Sequence, residues 1–493
     1  MKSLKDIIGS LEMLELLGNA DVMISGLQLN STSVTPGDLF MAIRGTHTDG
    51  HRFINQAIEN GAVAILCENI PLAPNPNVTF IRVAESSKAT GLVASAFYGH
   101  PSEKLKVIGV TGTNGKTTTA TSLYHLFEYL GYPSGLLSTI RIKIHQQTLE
   151  ATHTTPDAIM INRMLAQMVD EGCSYVFMEV SSHALAQHRT SGLHFAGGIF
   201  TNLTRDHLDY HPNFLSYLQV KKSFFDALPS DAFALTNLED RNGEIMLQNC
   251  KARCYTYSSR GMADFEATVV EQHSNGMAIL FGGLEVWTNL TGRFNVLNLL
   301  AVYAAAILLG MEQDQVLLAL SRLTPVEGRL ETVLLGGGRT AFVDYAHTPD
   351  ALENVLKTLV ELRIEGSRII TVFGAGGDRD RGKRPIMGST ACQFSDLVIL
   401  TSDNPRTENP ERIIEDVFTG VPADKRDHVL SITNRHEAIK TAVRLSQPGD
   451  IILVAGKGHE PYQEVNGVKH HFDDREELRK LRFPDTQTSK PIA

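Results

Sequence analysis

The chain has 493 residues, of which 42% are hydrophobic and 20% are charged. At about 150 residues per domain, this length predicts about three domains, and the composition is typical of a globular protein rather than a disordered one. The formal net charge of −10 argues against a general nucleic-acid-binding protein, because such domains usually carry a net basic face.

The cysteines and the apolar runs indicate the compartment. The five cysteines are odd in number and scattered, so we expect reduced thiols rather than a disulfide framework. The N-terminus has no apolar signal core, and no apolar run reaches the ~20 residues that cross a membrane. We therefore expect a cytoplasmic protein that contacts neither membrane nor nucleic acid and acts as a monomer.

Residues 1–104 alternate short apolar runs with helical patterns, which predicts a small N-terminal α/β domain. The predicted strands cover residues 39–43, 62–67 and 78–83, and the predicted helices cover residues 53–60 and 86–98. The breaker cluster Gly99-His100-Pro101-Ser102 follows the last helix. We place a domain boundary after residue 104.

The segment that follows predicts a phosphate-binding loop. Residues 109–119 read Gly-Val-Thr-Gly-Thr-Asn-Gly-Lys-Thr-Thr-Thr, between a strand pattern at 105–110 and a helix pattern at 119–130. Anions bind at such a junction because backbone N–H groups and the positive end of the helix dipole face them. Lys116 adds a positive charge, and Thr117 offers a hydroxyl to Mg²⁺. The loop is atypical, since Val110 stands where the generic pattern has its first glycine.

Strand and helix patterns continue to alternate in two further regions. Residues 105–328 predict a central domain with a mostly parallel sheet covered by helices on both faces. Its further predicted strands cover residues 135–139, 175–180, 195–201 and 232–237, and a helix covers 159–171. Residues 329–493 predict a C-terminal Rossmann-like domain with strands at 340–344, 369–373, 397–401 and 451–455. The predicted fold class is therefore α/β with three domains.

Polar motifs follow the predicted strands, where open α/β sheets bind ligands. The motifs are residues 179–183, 202–207, 344–347, 374–379, 402–406 and 456–460. We therefore predict two sheets whose polar edges face each other across a cleft. Glu179 and Thr117 are suited to Mg²⁺, which prefers hard oxygen ligands, and His207 is suited to a second ion. The alternatives are a solvated carboxylate at Glu179 and a structural polar network around His207.

Other chemistries fit less well. Ser181, Ser182 and His183 lack the G-x-S-x-G elbow of a hydrolase, and the histidines lack H-E-x-x-H zinc spacing. Cys250 and Cys254 have a metal-like separation, but no second Cys/His pair near them completes a site. A phosphate loop beside a second domain with its own polar strand ends favours ligation through an acyl phosphate.

The loop Thr-Gly-Thr-Asn-Gly-Lys-Thr-Thr at residues 111–118 resembles the ATP loop of the Mur ligase family, and the resemblance covers essentially the whole chain. It implies an ATP-dependent ligase that adds meso-2,6-diaminopimelate to UDP-N-acetylmuramoyl-L-alanyl-D-glutamate in peptidoglycan synthesis. In that family the N-terminal domain holds the uridine end, the central domain holds ATP and the C-terminal domain brings the amino acid.

The resemblance also implies which residues bind the two nucleotides. The UDP-muramoyl contacts would be Leu29, Ser31, Thr46, His47, Thr48, His153, Thr154, Thr155, Ser181, Gln187 and Arg189. Asn30 and Thr32 replace the family's usual Asp and Arg beside Ser31, and His153 replaces a frequent Asn. The ATP contacts would be Gly112, Thr113, Asn114, Gly115, Lys116, Thr117, Thr118, Asn295, Asn298, Arg329 and Asp344.

Lys221 stands where the family carries a lysine that CO₂ carbamylates into an oxygen ligand for a second Mg²⁺. The residue pattern alone favours an exposed lysine on a helix, and the adjacent Lys222 is an alternative candidate for the carbamylated residue. The resemblance selects Lys221, and the implied metal ligands are Thr117, Glu179, His207 and Lys221. The implied catalytic residues are Lys116, Lys221 and His207.

The choice of amino acid depends on the motif Asp403-Asn404-Pro405-Arg406. A guanidinium presents paired donors to a carboxylate, so Arg406 is suited to the distal carboxylate of diaminopimelate. Lysine-adding relatives lack this arginine. The other implied amino-acid contacts are Arg379, Gly456 and Glu460, of which Glu460 suits the distal ammonium.

Two other functions remain open from the sequence. Folylpolyglutamate synthetase shares the ATP loop, although it should lack the Asp-Asn-Pro-Arg motif and the uridine domain. A nucleotide-binding regulator without turnover would keep the fold, but Lys116, Glu179 and His207 speak against it.

Overall fold

The computed structural model describes residues 1–45, 48–151, 153–273 and 275–483. The N-terminal unit contains strands β1 Lys2–Ser3, β2 Glu15–Leu17, β3 Met23–Ile24, β4 Leu27–Gln28, β5 Leu39–Met41, β6 Ala64–Cys67 and β7 Thr79–Arg82. Its helices are α1 Leu4–Ile8, α2 Ile54–Glu59 and α3 Ser86–Phe97. A five-stranded sheet has the order β2-β7-β6-β5-β4, and β1 pairs with β3.

The central unit is built on an 11-stranded sheet. Its strands are β8 Lys106–Thr111, β9 Ser134–Leu137, β10 Arg141–Ile144, β11 Gln147–Glu150, β12 Tyr175–Glu179, β13 Gly197–Phe200, β14 Phe233–Asn237, β15 Arg253–Ser258, β16 Phe265–His273, β17 Gly276–Phe281 and β18 Leu284–Thr288. Its helices are α4 Lys116–Tyr129, α5 Ala158–Asp170, α6 Ser182–Ala186, α7 Phe214–Asp226, α8 Gly243–Leu247, α9 Arg293–Leu308 and α10 Gln313–Ser321.

The C-terminal unit has a six-stranded sheet in the order β19-β20-β24-β21-β22-β23 and a separate hairpin, β25-β26. The strands are β19 Glu331–Gly336, β20 Arg339–Asp344, β21 Ile369–Phe373, β22 Leu397–Leu400, β23 Val429–Ser431, β24 Ile451–Ala455, β25 Tyr462–Val465 and β26 Val468–His471. The helices are α11 Pro349–Leu362, α12 Lys383–Phe394, α13 Pro410–Phe418, α14 Arg435–Leu445 and α15 Asp474–Lys480.

The parallel core of the central sheet positions the phosphate loop. β8 lies between β12 and β13 and is parallel to both, so its carboxyl end opens at the middle of the sheet. Strands with both faces covered form apolar runs, and every residue from Val107 to Thr111 is buried. Two apolar layers, one including Phe127 and the other Phe225, cover the two faces.

The predicted α/β fold class is confirmed, and two features of the central unit differ from prediction. Helix α4 begins at Lys116 rather than at residue 119, because the loop threonines form its first turn. Antiparallel strands extend the central sheet at both ends: the hairpin β10-β11 and the meander β16 to β18. β10, β11, β16 and β18 have mixed sequences without the buried apolar runs of the parallel core, whereas β17 is largely buried. Among the described residues, none of the helices combines the length and apolarity needed for a membrane span.

Candidate active site

The phosphate loop connects β8 to α4 through two glycines with positive φ. Gly112 has φ 150° and Gly115 has φ 85°. A Cβ on Gly115 would lie 2.4 Å from Asn298 Oδ1, and one on Gly112 would lie 1.9 Å from Thr201 Oγ1. A side chain at either position would be strained by its φ and blocked by its neighbours. The loop also receives support from Asn202, whose Oδ1 accepts a hydrogen bond from Asn114 N at 2.9 Å.

Lys116 curls back over its own loop. Its Nζ donates to Gly112 O at 2.9 Å and to Thr113 O at 2.8 Å. Burial lowers the pKa of Lys116, which Glu179 and Asp206 partly oppose. Phosphate oxygens placed at the helix N-terminus would offer this ammonium a stronger partner than the carbonyls that it now contacts.

Thr117 and Glu179 converge across the loop. The Thr117 hydroxyl donates to Glu179 Oε2 at 3.0 Å, and Glu179 is buried at the end of β12. Thr139 N donates to Glu179 Oε1 at 2.7 Å, and the Thr139 hydroxyl lies 3.1 Å from Thr154 Oγ1. Arg329 of the C-terminal unit reaches the same point, since its Nη2 donates to Thr117 Oγ1 at 3.1 Å. Hydroxyl and carboxylate oxygens of this kind suit Mg²⁺.

Lys221 is buried beneath the loop, with only 1% of its surface exposed. Its Nζ donates to Gly112 O at 2.9 Å and to Thr111 Oγ1 at 3.3 Å. Burial, with the nearby charge of Lys116, holds the pKa of Lys221 well below its ordinary value. Lys222 instead forms an ion pair with Asp226 on the outside of α7. The exposed position that the residue pattern favours for Lys221 is therefore wrong, because the register of α7 turns Lys221 towards the loop.

An acid, two histidines and a lysine meet beside the loop. His207 Nε2 lies 3.3 Å from Asp206 Oδ2, while His347 Nε2 and Lys383 Nζ each lie 3.8 Å from an Asp206 oxygen. Burial lowers the pKa of His207 to about 3 and the pKa of His347 to about 4. The pKa of Asp206 is lowered although its burial acts to raise it, because His207, Lys383 and His347 surround it. The neutral imidazole of His207 is suited to ligating a metal.

The polar edges of the central and C-terminal sheets face each other, as predicted. Asn114 Nδ2 donates to Asp350 Oδ2 at 2.8 Å, and Arg205 Nε donates to Asp380 Oδ2 at 3.2 Å. Each contact joins one unit to the other across the cleft that contains the phosphate loop.

A cavity of about 380 Å³ extends from the loop between the two units. Three predicted ATP contacts, Thr118, Asn295 and Arg329, line it. Asn298 lies beside it and donates to Asn295 Oδ1 at 3.0 Å. Asp344 is buried, and its carboxylate accepts hydrogen bonds from Leu330 N and Ala346 N. The residues that also line the cavity and that sequence reasoning missed are Asn275, Asn289, Leu290, Thr291, Pro325, Val326, Leu330, Thr332, Leu334 and Thr340.

The predicted amino-acid residues gather at the end of β24. Lys457 is completely buried, and its Nζ lies 3.4 Å from Asp403 Oδ1, 2.9 Å from Asn404 Oδ1 and 3.8 Å from Glu460 Oε2. Asn404 Nδ2 donates to Glu460 Oε2 at 2.8 Å, and a Cβ on Gly456 would lie 2.5 Å from Asp403 Oδ2. Burial and the neighbouring Asp403 raise the pKa of Glu460. The pattern search missed Lys457, although it lies inside the motif at 456–460.

Arg406 follows this cluster, and its backbone lies in the left-handed region, with φ 52°. Its Nη1 donates to Gly377 O at 2.6 Å, and the preceding Pro405 is buried. Arg379 lies nearer the central unit, where its Nη1 is 3.8 Å from Asp209 Oδ2. The two predicted arginines both border Gly376, since a Cβ at that position would lie 3.1 Å from Arg406 Nη1 and 3.7 Å from Arg379 Cγ.

The predicted UDP-muramoyl residues fall into two groups. Thr155, Ser181, Gln187 and Arg189 form one network near the loop, in which Arg189 Nη1 donates to Thr155 O at 2.6 Å. Ser31 lies in the N-terminal unit, where its hydroxyl donates to Gln56 Oε1 at 2.7 Å.

The remaining predicted UDP-muramoyl residues are more exposed. Leu29 is half-buried, whereas Thr48 and His153 are exposed. Asn30 caps its own turn by accepting from Thr32 N at 3.0 Å. Thr46 and His47 lie outside the described residues.

Comparisons with known proteins agree with this geometry. The chain matches three family profiles, described as Mur ligase family, catalytic domain (residues 23–104), Mur ligase middle domain (residues 110–306) and Mur ligase, glutamate ligase domain (residues 328–458). The protein named UDP-N-acetylmuramoyl-L-alanyl-D-glutamate--2,6-diaminopimelate ligase in Bacteroides fragilis is 54% identical, over 97% of this chain and 99% of that relative. The protein of the same name in Clostridium tetani is 41% identical, over 97% of this chain and 99% of the relative.

Solved structures show the same fold. A structure of a protein with that name is 32% identical and superposes with a TM-score of 0.67, covering 97% of this chain and 98% of the other. The MurF ligase of Thermotoga maritima in complex with ADP has a TM-score of 0.62 at 18% identity, over 93% and 97% of the two chains. The resemblance found in the phosphate loop is confirmed along the chain, which belongs to the Mur ligase family.

Proposed function

We propose that this chain uses ATP to join meso-2,6-diaminopimelate to the free carboxylate of UDP-N-acetylmuramoyl-L-alanyl-D-glutamate, releasing ADP and phosphate, during peptidoglycan synthesis. The observation that carries the proposal is the pair of facing loops: a phosphate loop on one sheet, and the Asp403 to Arg406 loop with its part-exposed guanidinium on the other. Relatives that bear this activity in their names are 50–54% identical over 97% of the chain.

The reaction has two steps. A carboxylate oxygen of the dipeptide attacks the γ-phosphorus of ATP, and the bond to the β–γ bridging oxygen breaks to release ADP. The amine of diaminopimelate then attacks the acyl carbon, loses a proton and displaces phosphate. The phosphate loop and Lys116 stabilise the charge on the transferring group. Contacts between the facing units, such as Asn114 to Asp350, would keep water from the acyl phosphate.

The site residues fit two magnesium ions. Thr117 and Glu179 supply hard oxygens at the loop, already 3.0 Å apart, and would hold the first ion. His207 and a carbamylated Lys221 would hold the second. Mg²⁺, when bound, neutralises phosphate charge and orients the phosphates.

Carbamylation of Lys221 is supported by its surroundings. CO₂ reacts with a neutral amine, which loses a proton as the carbamate forms, and burial beside Lys116 favours the neutral form of Lys221. A carbamate would place an anion beside the Lys116 ammonium, so the two groups would attract each other.

We also propose three functional domains: residues 1–104 for the uridine end, residues 105–328 for ATP and residues 329–493 for the amino acid. Ser31 and its neighbours would contact the uridine end, while the Thr155, Ser181 and Arg189 network would contact the muramoyl part. The cytoplasm, where ATP is available, suits a monomeric enzyme whose five cysteines are free.

The test is a ligation assay with purified protein, ATP and Mg²⁺. Phosphate release and product mass are measured with UDP-N-acetylmuramoyl-L-alanyl-D-glutamate and either meso-diaminopimelate or L-lysine, and in parallel with a folate and L-glutamate. We expect a product only from the muramoyl dipeptide, and faster with diaminopimelate. A folate product, a preference for lysine, or ATP binding without any product would contradict the proposal.

A further inference from the structure

The hairpin β25-β26 forms one wall of the amino-acid site. Its turn, Asn466-Gly467, has φ values of 49° and 77°, as a two-residue hairpin turn requires. The Asp403 to Arg406 loop adds to β25 like a further strand: Arg406 N donates to Glu464 O at 3.1 Å, and Asn466 N donates to Arg406 O at 2.8 Å. Gln463 Nε2 donates to Asp403 O at 2.6 Å. The hairpin therefore determines where Arg406 lies.

The guanidinium of Arg406 is held on two sides. Nη1 donates to Gly377 O at 2.6 Å. Nε lies 3.4 Å from Glu464 Oε2. In the part of the chain that the structure describes, Nη2 has no hydrogen-bond partner. One nitrogen of the guanidinium, Nη2, is thus left for a substrate oxygen. The Glu464 carboxylate lies beside the same guanidinium.

The Glu464 carboxylate remains accessible. The side chains of Arg406 and Glu464 are 23% and 26% exposed, so the pair is open to solvent rather than enclosed in the core. An acid beside a carboxylate-binding arginine weakens carboxylate binding, because it repels the incoming anion. Such an acid is useful when the ligand carries a cation next to its carboxylate.

We propose that Glu464 is a specificity-determining residue that binds the distal ammonium of the incoming amino acid while Arg406 binds the distal carboxylate. The inference rests on the proposed function. The distal carbon of diaminopimelate bears one ammonium and one carboxylate, and Arg406 with Glu464 presents the complementary charges at a separation of 3.4 Å. Binding both groups on one carbon also distinguishes the two configurations of that carbon.

Glu460 is less free to make this contact alone. Its Oε1 accepts a hydrogen bond from the Tyr345 hydroxyl at 3.1 Å, and its Oε2 accepts from Asn404 at 2.8 Å. Lys457 Nζ also lies 3.8 Å from the carboxylate and balances its charge. Among the residues that the structure describes, the Glu464 carboxylate accepts from no comparable set of donors, and its charged partner is Arg406.

The experiment compares Glu464→Gln with the wild type on two ligands. One is meso-diaminopimelate, and the other is 2-aminopimelate, which keeps the distal carboxylate but has no distal ammonium. Dissociation constants are measured for both in the presence of the muramoyl dipeptide and a non-hydrolysable ATP analogue, together with kcat/KM for diaminopimelate. Glu476→Gln, an exposed acid paired with His471 on the same unit, is the matched control.

We expect Glu464→Gln to weaken diaminopimelate binding at least tenfold and to leave 2-aminopimelate binding unchanged or tighter, with an unchanged Tm. Glu476→Gln should leave both constants unchanged. Equal weakening of the two ligands would overturn the proposal, since Glu464 would then only position Arg406; no change in either ligand would overturn it as well. A wild-type enzyme that does not use diaminopimelate would instead refute the proposed function.

Discussion

At the scale of single residues, the Lys116 ammonium donates to two carbonyl oxygens of its own loop. We predict that Lys116→Ala lowers ligation by roughly 10²-fold or more, because it deletes the charge that stabilises the transferring phosphoryl group. Phosphate release and the Tm are measured together. The Tm should remain close to that of the wild type, and near-normal turnover would contradict the ATP assignment.

Lys221 and Lys222 form a natural matched pair, since Lys221 is buried under the loop whereas Lys222 is half-buried and pairs with Asp226 on α7. We predict that Lys221→Ala abolishes ligation and that bicarbonate does not restore it, whereas a small added carboxylate restores part of it. Lys222→Ala should retain activity. Full activity of the wild type in CO₂-free buffer, with an unmodified Lys221 by mass spectrometry, would refute carbamylation.

Arg406 should govern the choice of amino acid. Arg406→Ala removes a charge-assisted pair and leaves the distal carboxylate without its partner, a loss of roughly 2 to 5 kcal/mol by analogy with interface charge pairs. We predict that kcat/KM for meso-diaminopimelate falls at least tenfold, while the poor use of L-lysine changes far less. Equal losses for the two amino acids would show that Arg406 is not the carboxylate anchor.

At the scale of elements, an ion pair fixes the loop that follows β22 to the start of α12, and the same carboxylate holds the loop that follows β21. Arg384 donates to both Glu408 oxygens, at 3.1 and 2.8 Å, and Asp378 N donates to the same carboxylate at 2.7 Å. The hydrogen bonds from Arg384 lower the pKa of Glu408 from 4.5 to about 2. The stabilisation is therefore complete above pH 4.5 and is lost as the pH falls towards 2.

We predict that Glu408→Gln lowers the Tm at pH 7 and that the difference from the wild type shrinks as the pH falls from about 4.5 to about 2, where the wild-type carboxylate becomes protonated. Thermal unfolding followed across this pH range measures the effect. A Tm difference that stays constant with pH would show that the ion pair does not contribute.

At the scale of the whole molecule, polar contacts join the central and C-terminal units across the cleft. The pair Arg205 with Asp380 is partly exposed on its arginine side, and such pairs contribute about 0.2 to 1 kcal/mol. We predict that Asp380→Asn lowers kcat/KM by no more than about fivefold, because it weakens closure without touching the phosphates. Arg205→Gln should have the same effect, and the double variant should add little to either single change. Additive losses would contradict a direct pairing.

The sequence by itself determined most of the parallel strands, the phosphate loop and the fold class, although it did not reveal β4, β15 and β23. Each depends on local patterns: apolar runs for strands with two covered faces, and Gly112, Gly115 and Lys116 for a loop that needs positive φ and a cation. The strand pattern also located the polar motifs at the strand ends, and the family resemblance then assigned roles to their residues. These features could be predicted because a few neighbouring residues dictate each of them.

Only the tertiary structure decided which of these residues meet. The register of α7 buries Lys221 and leaves Lys222 to pair with Asp226. The two facing sheets bring Lys383 to Asp206, and two strand ends of the C-terminal sheet bring Lys457 to Asp403. The hairpin that presents Glu464 to Arg406 was not predicted, since its short polar strands resemble a loop. Such contacts join residues far apart in the chain, and their energies depend on burial and distance, which no local pattern records.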